Sequence, residues 1–269
     1  MTNNYNPGRL TDKEHLTRYH DIFTNTFLPN SDEIQVIFQW LQNDFEHEIL
    51  PRLVSASGKG SQLKALGVGT GDGDKDQVII RKLIKHFGKL SYTVVEPGGI
   101  IEKFRLSVST DPELKAAQYT WHNMPFENFC LKTSASSDKY EFISVIHSVY
   151  YLKDTTSSLK CLLEILQDGG VLMFIINDDG SDQRRFLELL EWKKRPIWSG
   201  ERNLEIIEKF AISENLRTLK YRLSTTLDVT SCFNEQSEEG PKLVDFLTNV
   251  AHHKEEAPEA RALKKIDSG

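Results

Sequence analysis

The sequence predicts an α/β fold, a doubly wound and mostly parallel sheet with helices on both faces. Three observations carry that reading. From Leu63 onward, apolar runs of strand length alternate with stretches of helical periodicity. The first run ends in a glycine-rich turn that leads directly into a helical pattern. The fourth and fifth runs, EFISVIH and GGVLMFIIN, are almost continuously apolar, as strands covered on both faces should be.

Taken in order, Ser31 precedes EIQVIFQWLQNDFEHEILPRL, where Ile34, Ile37, Phe38, Leu41, Phe45, Ile49 and Leu50 recur at helical spacing. This predicts one helix with one apolar face, with Pro51 near its end. The strands are KALGV, SYTVVE, AQYTWH, EFISVIH and GGVLMFIIN. Helices are predicted over DKDQVIIRKLIKHF, GGIIEKFRLSV, KDTTSSLKCLLEILQ and QRRFLELLEWKK. A helix from Leu204 to Glu214, a strand from Thr218 to Thr225, a helix from Pro241 to Ala251 and a charged tail follow. SGKGS, TSASS and NEQSEEGP are short polar connectors.

At 269 residues and 39% hydrophobic, the chain can bury the core of one large domain. A net charge of -6 lacks the basic footprint of nucleic-acid binding, and Lys193, Lys194 and Arg195 read as a solvated helix end. No apolar run approaches the roughly 20 residues that span a bilayer, and the first residues carry no signal-peptide pattern, so a cytoplasmic protein without a membrane partner is expected. Cys130, Cys161 and Cys232 are odd in number and form no CxxC. They are expected to be packing residues rather than a disulfide framework or zinc site. No His, Cys and Asp cluster has metal-ligand spacing and no serine sits in a nucleophile elbow, so no metal is expected.

LKALGVGTGDGDKDQ places Gly67, Gly69, Gly71 and Gly73 between a strand and a helix. Such a turn presents backbone N–H groups to an anionic ligand moiety and lets it approach the main chain. Glu96 ends the next strand, about 20 residues on, where nucleoside-binding folds accept hydrogen bonds from ribose hydroxyls. The spacing is GxGxGxG rather than GxGxxG, and Asp72, Asp74 and Asp76 would repel a pyrophosphate. S-adenosylmethionine, with its cationic sulfonium, fits these features better than NAD.

With those features the chain resembles the histamine N-methyltransferase family of class I S-adenosylmethionine-dependent methyltransferases. FISVIHSVYYLKD (Phe142 to Asp154), TVVEP, LSTTLDVTSCF and VDFLT carry the resemblance, which runs from about Tyr19 to APEARALKK near the C-terminus. It implies a Rossmann-like class I fold, with residues 1–60 as a helical substrate-binding or lid region and residues 61–269 as the methyltransferase domain. Gly69, Gly71 and Gly73 should line the methionine part of the cofactor, Glu96 should hold the ribose, and Ile146 and His147 should border the adenosyl and methyl region. Ile101 and Phe126 stand where the family has a glutamine and a serine that contact the cofactor. For the acceptor, Glu33 should bind the alkylammonium, and Tyr19, Phe23, Tyr150, Tyr151 and Phe246 should form an aromatic box around a flat cationic amine.

Three departures follow from the same comparison of motifs. His147 replaces a glutamine that hydrogen-bonds the imidazole, and it should titrate near neutral pH. Asp182 and Phe186 replace two lid tryptophans. The family's last antiparallel strand is not matched, since the chain ends at Gly269 after a charged helix-like segment; a truncated form or another closure of the sheet is expected. The implied chemistry is in-line methyl transfer from S-adenosylmethionine to a neutral imidazole nitrogen by a monomer, with Glu33 anchoring and the catalytic His147 orienting the ring or else accepting the proton that the product sheds. Alternatives are another small amine or a dipeptide such as carnosine, a non-catalytic cofactor-binding relative, and, more distantly, a nicotinamide oxidoreductase.

Overall fold

The computed structural model describes residues 10, 15–57, 62–133, 138–178 and 203–251. Its contacts divide the chain into two compact units, one drawn from Met1–Val36, Asp179–Glu201 and Tyr221–Gly269, the other from Ile37–Asp178 and Arg202–Lys220. The helix expected over QRRFLELLEWKK, with Asp182 and Phe186, and the charged tail lie outside the described residues.

Among the described residues of the first unit, the first helix is α1 (Leu16–Ile22), which continues as a π-helical turn (Phe23–Phe27) and a last α turn (Leu28–Asn30). Then α2 (Glu33–Asn43) leads into the second unit. The single helix expected here is three, because α3 (Phe45–Glu48) and α4 (Leu50–Ser57) follow after breaks at Asp44 and Ile49. Asn43 and Asp44 are poor interior helix residues, and Pro51 lacks the N–H that would carry a helix through it, so it sits in the first turn of α4. The apolar face survives the breaks, with Leu41, Phe45, Ile49, Leu50 and Leu53 all buried.

The second unit contains β1 (Leu63–Val68), α5 (Asp74–Phe87), β2 (Leu90–Val95), α6 (Ile101–Thr110), β3 (Gln118–His122), α7 (Phe126–Thr133), β4 (Tyr140–Ile146), α8 (Thr155–Ile165), β5 (Leu166–Ile175) and α9 (Asn203–Ser213). The strands form one parallel sheet in the order β3-β2-β1-β4-β5. In the central β1 every residue but Lys64 is buried, which is why the sequence of these strands is so apolar. Val68 at its end pairs with Val95 and with Val145, which aligns the ends of β1, β2 and β4. Asp154 caps α8, accepting the Ser157 N–H at 3.2 Å and the Ser157 hydroxyl at 2.6 Å.

Three expectations need correction here. β5 is covered less than its composition implies: only Met173 is buried, because it is an edge strand. Thr218 to Thr225 is irregular and mostly exposed instead of a strand. Its alternating pattern finds no ladder among the described residues, and a strand gains stability only by pairing. Cys130 and Cys161 form a disulfide between α7 and α8, which pack side by side on the sheet and bring the two Cα atoms to 6.1 Å. That distance is ordinary for a bridge, and a separation of 31 residues gives no hint of it. Cys232 is a free thiol.

The described residues of the first unit from Tyr221 onward include α10 (Glu239–Thr248). Phe27, Leu243 and Leu247 form one apolar cluster, and Leu10, Ile22 and Ala251 another. No helix among the described residues is long and apolar enough to cross a membrane.

Candidate functional site

A doubly wound sheet opens its ligand crevice at the carboxyl ends of the strands where the strand order reverses. Here that point lies between β1 and β4. The loops leaving β1, β2 and β4 at that edge carry the glycine turn, Glu96 and His147 respectively.

Gly69, Gly71 and Gly73 all adopt positive φ, at 65°, 58° and 81°, so glycine at alternate positions answers a backbone requirement. Their surroundings differ. A Cβ on Gly69 would lie 2.3 Å from the Cβ of Ser148, and one on Gly73 would lie 2.2 Å from the Phe104 ring. At Gly71 a Cβ would meet nothing within 4 Å. Gly69 and Gly73 therefore let the turn pack down, and Gly71 leaves room above it. The Gly69 N–H donates to the Val95 carbonyl at 2.8 Å, and the Ser148 hydroxyl donates to the Val68 carbonyl at 2.7 Å. Of the three aspartates of the turn, Asp76 points into the core, where it accepts a short hydrogen bond from the Tyr92 hydroxyl. Burial pushes its carboxyl up to about 6.

Glu96 is buried just beyond β2, and its two carboxylate oxygens hold two loops. Oε2 accepts the Gly71 N–H at 3.0 Å and Oε1 accepts the Gly98 N–H at 2.7 Å. The residue expected at the ribose is thus also a brace for the turn.

At the end of β4, Ile146 is half-buried and His147 has φ of 48°, a conformation uncommon outside glycine and a recognised mark of constrained sites. The His147 N–H donates to the Ile175 carbonyl at 2.9 Å. Its ring lies 6.2 Å from that of Tyr150, and the Tyr150 hydroxyl accepts a short hydrogen bond from the Asn177 N–H. Burial, reinforced by the positive charge of Lys75, lowers the imidazole to about 4. The expectation that His147 titrates near neutral pH is therefore corrected, because burial disfavours the charged imidazolium. Tyr151 is 54% exposed. Ile101, in the first turn of α6, and Phe126, which stacks on Phe129 at the start of α7, are buried in the core.

In the first unit, Tyr19, Phe23 and Phe246 come together. The Tyr19 ring lies 6.3 Å from Phe23 and 5.5 Å from Phe246, and Phe23 lies 5.9 Å from Phe246. Phe27 joins them at 4.5 Å from Phe246, and its place four residues after Phe23 was the signal for it. A salt bridge from Arg18 to the buried Asp245 ties the neighbouring residues of α1 and α10. Glu33 opens α2, and its N–H donates to the Ser31 hydroxyl at 3.2 Å. The residue before it is clamped by the LSTTLDVT segment: Asp32 accepts the Thr226 N–H at 2.6 Å and its hydroxyl at 2.8 Å, and Ser31 bridges to Leu227. Those bonds hold the Asp32 carboxyl below its ordinary value.

A glycine turn with open space at Gly71, a buried carboxylate at the end of β2 and the N-terminus of α5 fit an adenosyl-methionine ligand. The Thr70 hydroxyl in the same turn is buried and has no hydrogen-bond partner among the described residues, as expected where a ligand completes a site.

Comparison with known proteins agrees. A family model described as a methyltransferase domain matches residues 39–219. The histamine N-methyltransferase of Danio rerio is 32% identical over 250 residues, covering 90% of this chain and 83% of that one. The chain belongs to the histamine N-methyltransferase family of class I methyltransferases. S-adenosylmethionine is its cofactor and the family's Rossmann-like sheet is its fold. The Xenopus tropicalis histamine N-methyltransferase is 29% identical over 90% of this chain and 83% of its own length. Carnosine N-methyltransferase 2 of Gallus gallus is 27% identical over 93% and 77%.

Proposed function

We propose that the chain transfers a methyl group from S-adenosylmethionine to an imidazole nitrogen of a small imidazole amine, histamine foremost. The observation that carries this reading is the neutral His147 beside Tyr150 at the end of β4, in a chain similar over 90% of its length to a histamine N-methyltransferase.

The cofactor supplies an electrophilic methyl group on a sulfonium sulfur. The Gly69 to Gly73 turn would hold its methionine part. Glu96 would accept the ribose hydroxyls, for which each carboxylate oxygen keeps a further lone pair beside its backbone bond. Ile146 would border the adenosyl and methyl region, whereas Ile101 and Phe126, which stand where the family has polar contacts, are buried in the core and present no surface to the cofactor.

Glu33 would pair with the alkylammonium of the acceptor, and Tyr19, Phe23, Tyr150, Tyr151 and Phe246 would stack on its ring and face its cation. A neutral imidazole nitrogen is nucleophilic without a base, so these residues need only align it with the methyl group and exclude water. Once methylated, with S-adenosylhomocysteine as the other product, the acceptor ring would have its other N–H proton to shed. His147, held near 4, is too weak a base to retain that proton at neutral pH. It orients the ring by hydrogen bonding, and the proton passes to solvent.

A histidine-containing dipeptide such as carnosine is the second acceptor, favoured by the similarity to a carnosine N-methyltransferase. Transfer of labelled methyl from S-adenosylmethionine to histamine, carnosine and other imidazole amines tests both. Turnover on histamine above the rest supports the first reading, preference for the dipeptide selects the second, and binding of S-adenosylhomocysteine with no turnover on any acceptor overturns both.

A further inference from the structure

Beneath the glycine turn lies a buried polar cluster to which the reaction gives no role. Asp76, in the first turn of α5, is 3% exposed, and its Oδ1 accepts a short hydrogen bond from Tyr92 of β2. Ser144 of β4, also buried, places its hydroxyl 3.4 Å from the Tyr92 oxygen and 3.5 Å from Asp76 Oδ1. Gly67 of β1 stands opposite Ser144 in the sheet register, and the cluster converges on it. A Cβ at Gly67 would lie 2.6 Å from Asp76 Oδ1, 2.8 Å from the Tyr92 oxygen and 2.6 Å from the Thr70 methyl group. Thr70 is the residue between Gly69 and Gly71, so the turn packs on Gly67 beside the cluster.

Burying a carboxyl and a phenol is unfavourable even when they satisfy each other, and apolar residues of the same volume would hold the strands together as well or better. What apolar residues cannot supply is a directional contact that fixes one turn conformation. Here a single carboxylate oxygen joins the N-terminus of α5 to β2 and β4 at the point where the strand order reverses.

We propose that Asp76, Tyr92 and Ser144 are the positioning group of the cofactor turn, holding Gly67 and Thr70 so that the Gly69 to Gly73 backbone stands in its S-adenosylmethionine-binding conformation. Asp76 touches neither cofactor nor acceptor in this scheme and acts through the turn. The proposal rests on S-adenosylmethionine as the cofactor and is independent of which amine is methylated.

The test is S-adenosylhomocysteine affinity by calorimetry on the full chain, with thermal stability followed in parallel. Tyr92→Phe, which deletes one oxygen, and Asp76→Ala should each weaken binding about tenfold. Asp76→Asn keeps an acceptor for the Tyr92 hydroxyl and should bind within about twofold of the parent. Phe87→Leu, in the apolar contact at the far end of α5, is the control: it should lower the melting temperature and leave affinity within about twofold. Parent-like binding by Tyr92→Phe overturns the proposal, and so does a Phe87→Leu variant that loses as much affinity at equal loss of stability. Should Asp76→Ala fail to fold, Tyr92→Phe and Asp76→Asn still decide. A parent chain that does not bind S-adenosylhomocysteine removes the cofactor reading, and the proposal with it.

Discussion

Glu96 Oε2 accepts the Gly71 amide hydrogen at 3.0 Å, so the residue proposed to hold a ribose also braces the turn proposed to hold a methionine. The two halves of the proposed cofactor site are thereby joined by one hydrogen bond. Glu96→Ala leaves the Gly71 and Gly98 N–H groups without their acceptor and removes the ribose partner as well. Each lost partner of a buried donor is worth about 1–3 kcal/mol, so S-adenosylhomocysteine affinity should fall by about 100-fold or more. Glu96→Gln, which keeps one acceptor oxygen, should fall between parent and alanine. Calorimetry showing equal affinity for all three proteins would remove Glu96 from the site.

Gly69 and Gly71 should respond differently to the same substitution. Any side chain at either position adopts a left-handed backbone, which costs about 1–2 kcal/mol. At Gly69 the new Cβ also collides with Ser148, so Gly69→Ala should lose a further ~1–3 kcal/mol of stability. Gly71→Val meets open space in the ligand-free protein and should fold with only the backbone penalty, while S-adenosylhomocysteine binding is abolished. Retained binding in a folded Gly71→Val protein would place the methionine part elsewhere.

The first-unit residues are tested from the acceptor side. Glu33→Gln removes a negative charge and keeps the shape, so the KM for an amine acceptor should rise about tenfold or more, as expected for loss of a charge-assisted hydrogen bond. S-adenosylhomocysteine binding should stay within about twofold of the parent. An equal loss on both sides would deny Glu33 a specific role at the ammonium.

These contacts also mark what a sequence can and cannot disclose. β1, β2, β4 and α5 were legible because burial in the middle of a parallel sheet writes itself as nearly unbroken apolar runs, and because glycine has to recur where the turn takes positive φ. Thr218 to Thr225 misled because alternation reports an amphipathic chain and says nothing of a pairing partner. Asp76 looked like part of an acidic rim, yet in the first turn of α5 its side chain faces β2, and only the fold places Tyr92 opposite it. The lowered value at His147 was likewise hidden, since burial is a property of the loops around β4 rather than of the residues IHS. Cys130 and Cys161 are brought together by the packing of α7 on α8, which no spacing rule encodes.

The bridge yields a count. Denatured without reductant, the protein should titrate one thiol, that of Cys232, and after reduction all three cysteines of the chain. The bond closes a loop across 31 residues, so Cys130→Ser should lower unfolding free energy by about 4 kcal/mol on chain-entropy grounds. Three thiols before reduction would show that the two cysteines are not bridged in solution.

His147 supplies a pH signature in stability and in activity. Its imidazole is held near 4 in the folded protein against about 6.5 when unfolded. Between those values the unfolded chain binds a proton that the native chain does not, so native stability rises with pH across the window and is lost as pH falls through it. The full difference is about 3 kcal/mol. His147→Gln cannot take up that proton, so the gap between parent and variant unfolding free energies should change by about that amount from pH 7 to pH 4. In turnover, a His147 that is neutral throughout gives no inflection of its own near 6.5, and the profile for an imidazole acceptor should follow the acceptor's own ionisation. His147→Gln should therefore retain methyl transfer, with the acid limb of its profile unmoved. A limb near 6.5 that vanishes in His147→Gln would mean that His147 takes the proton and acts as a base.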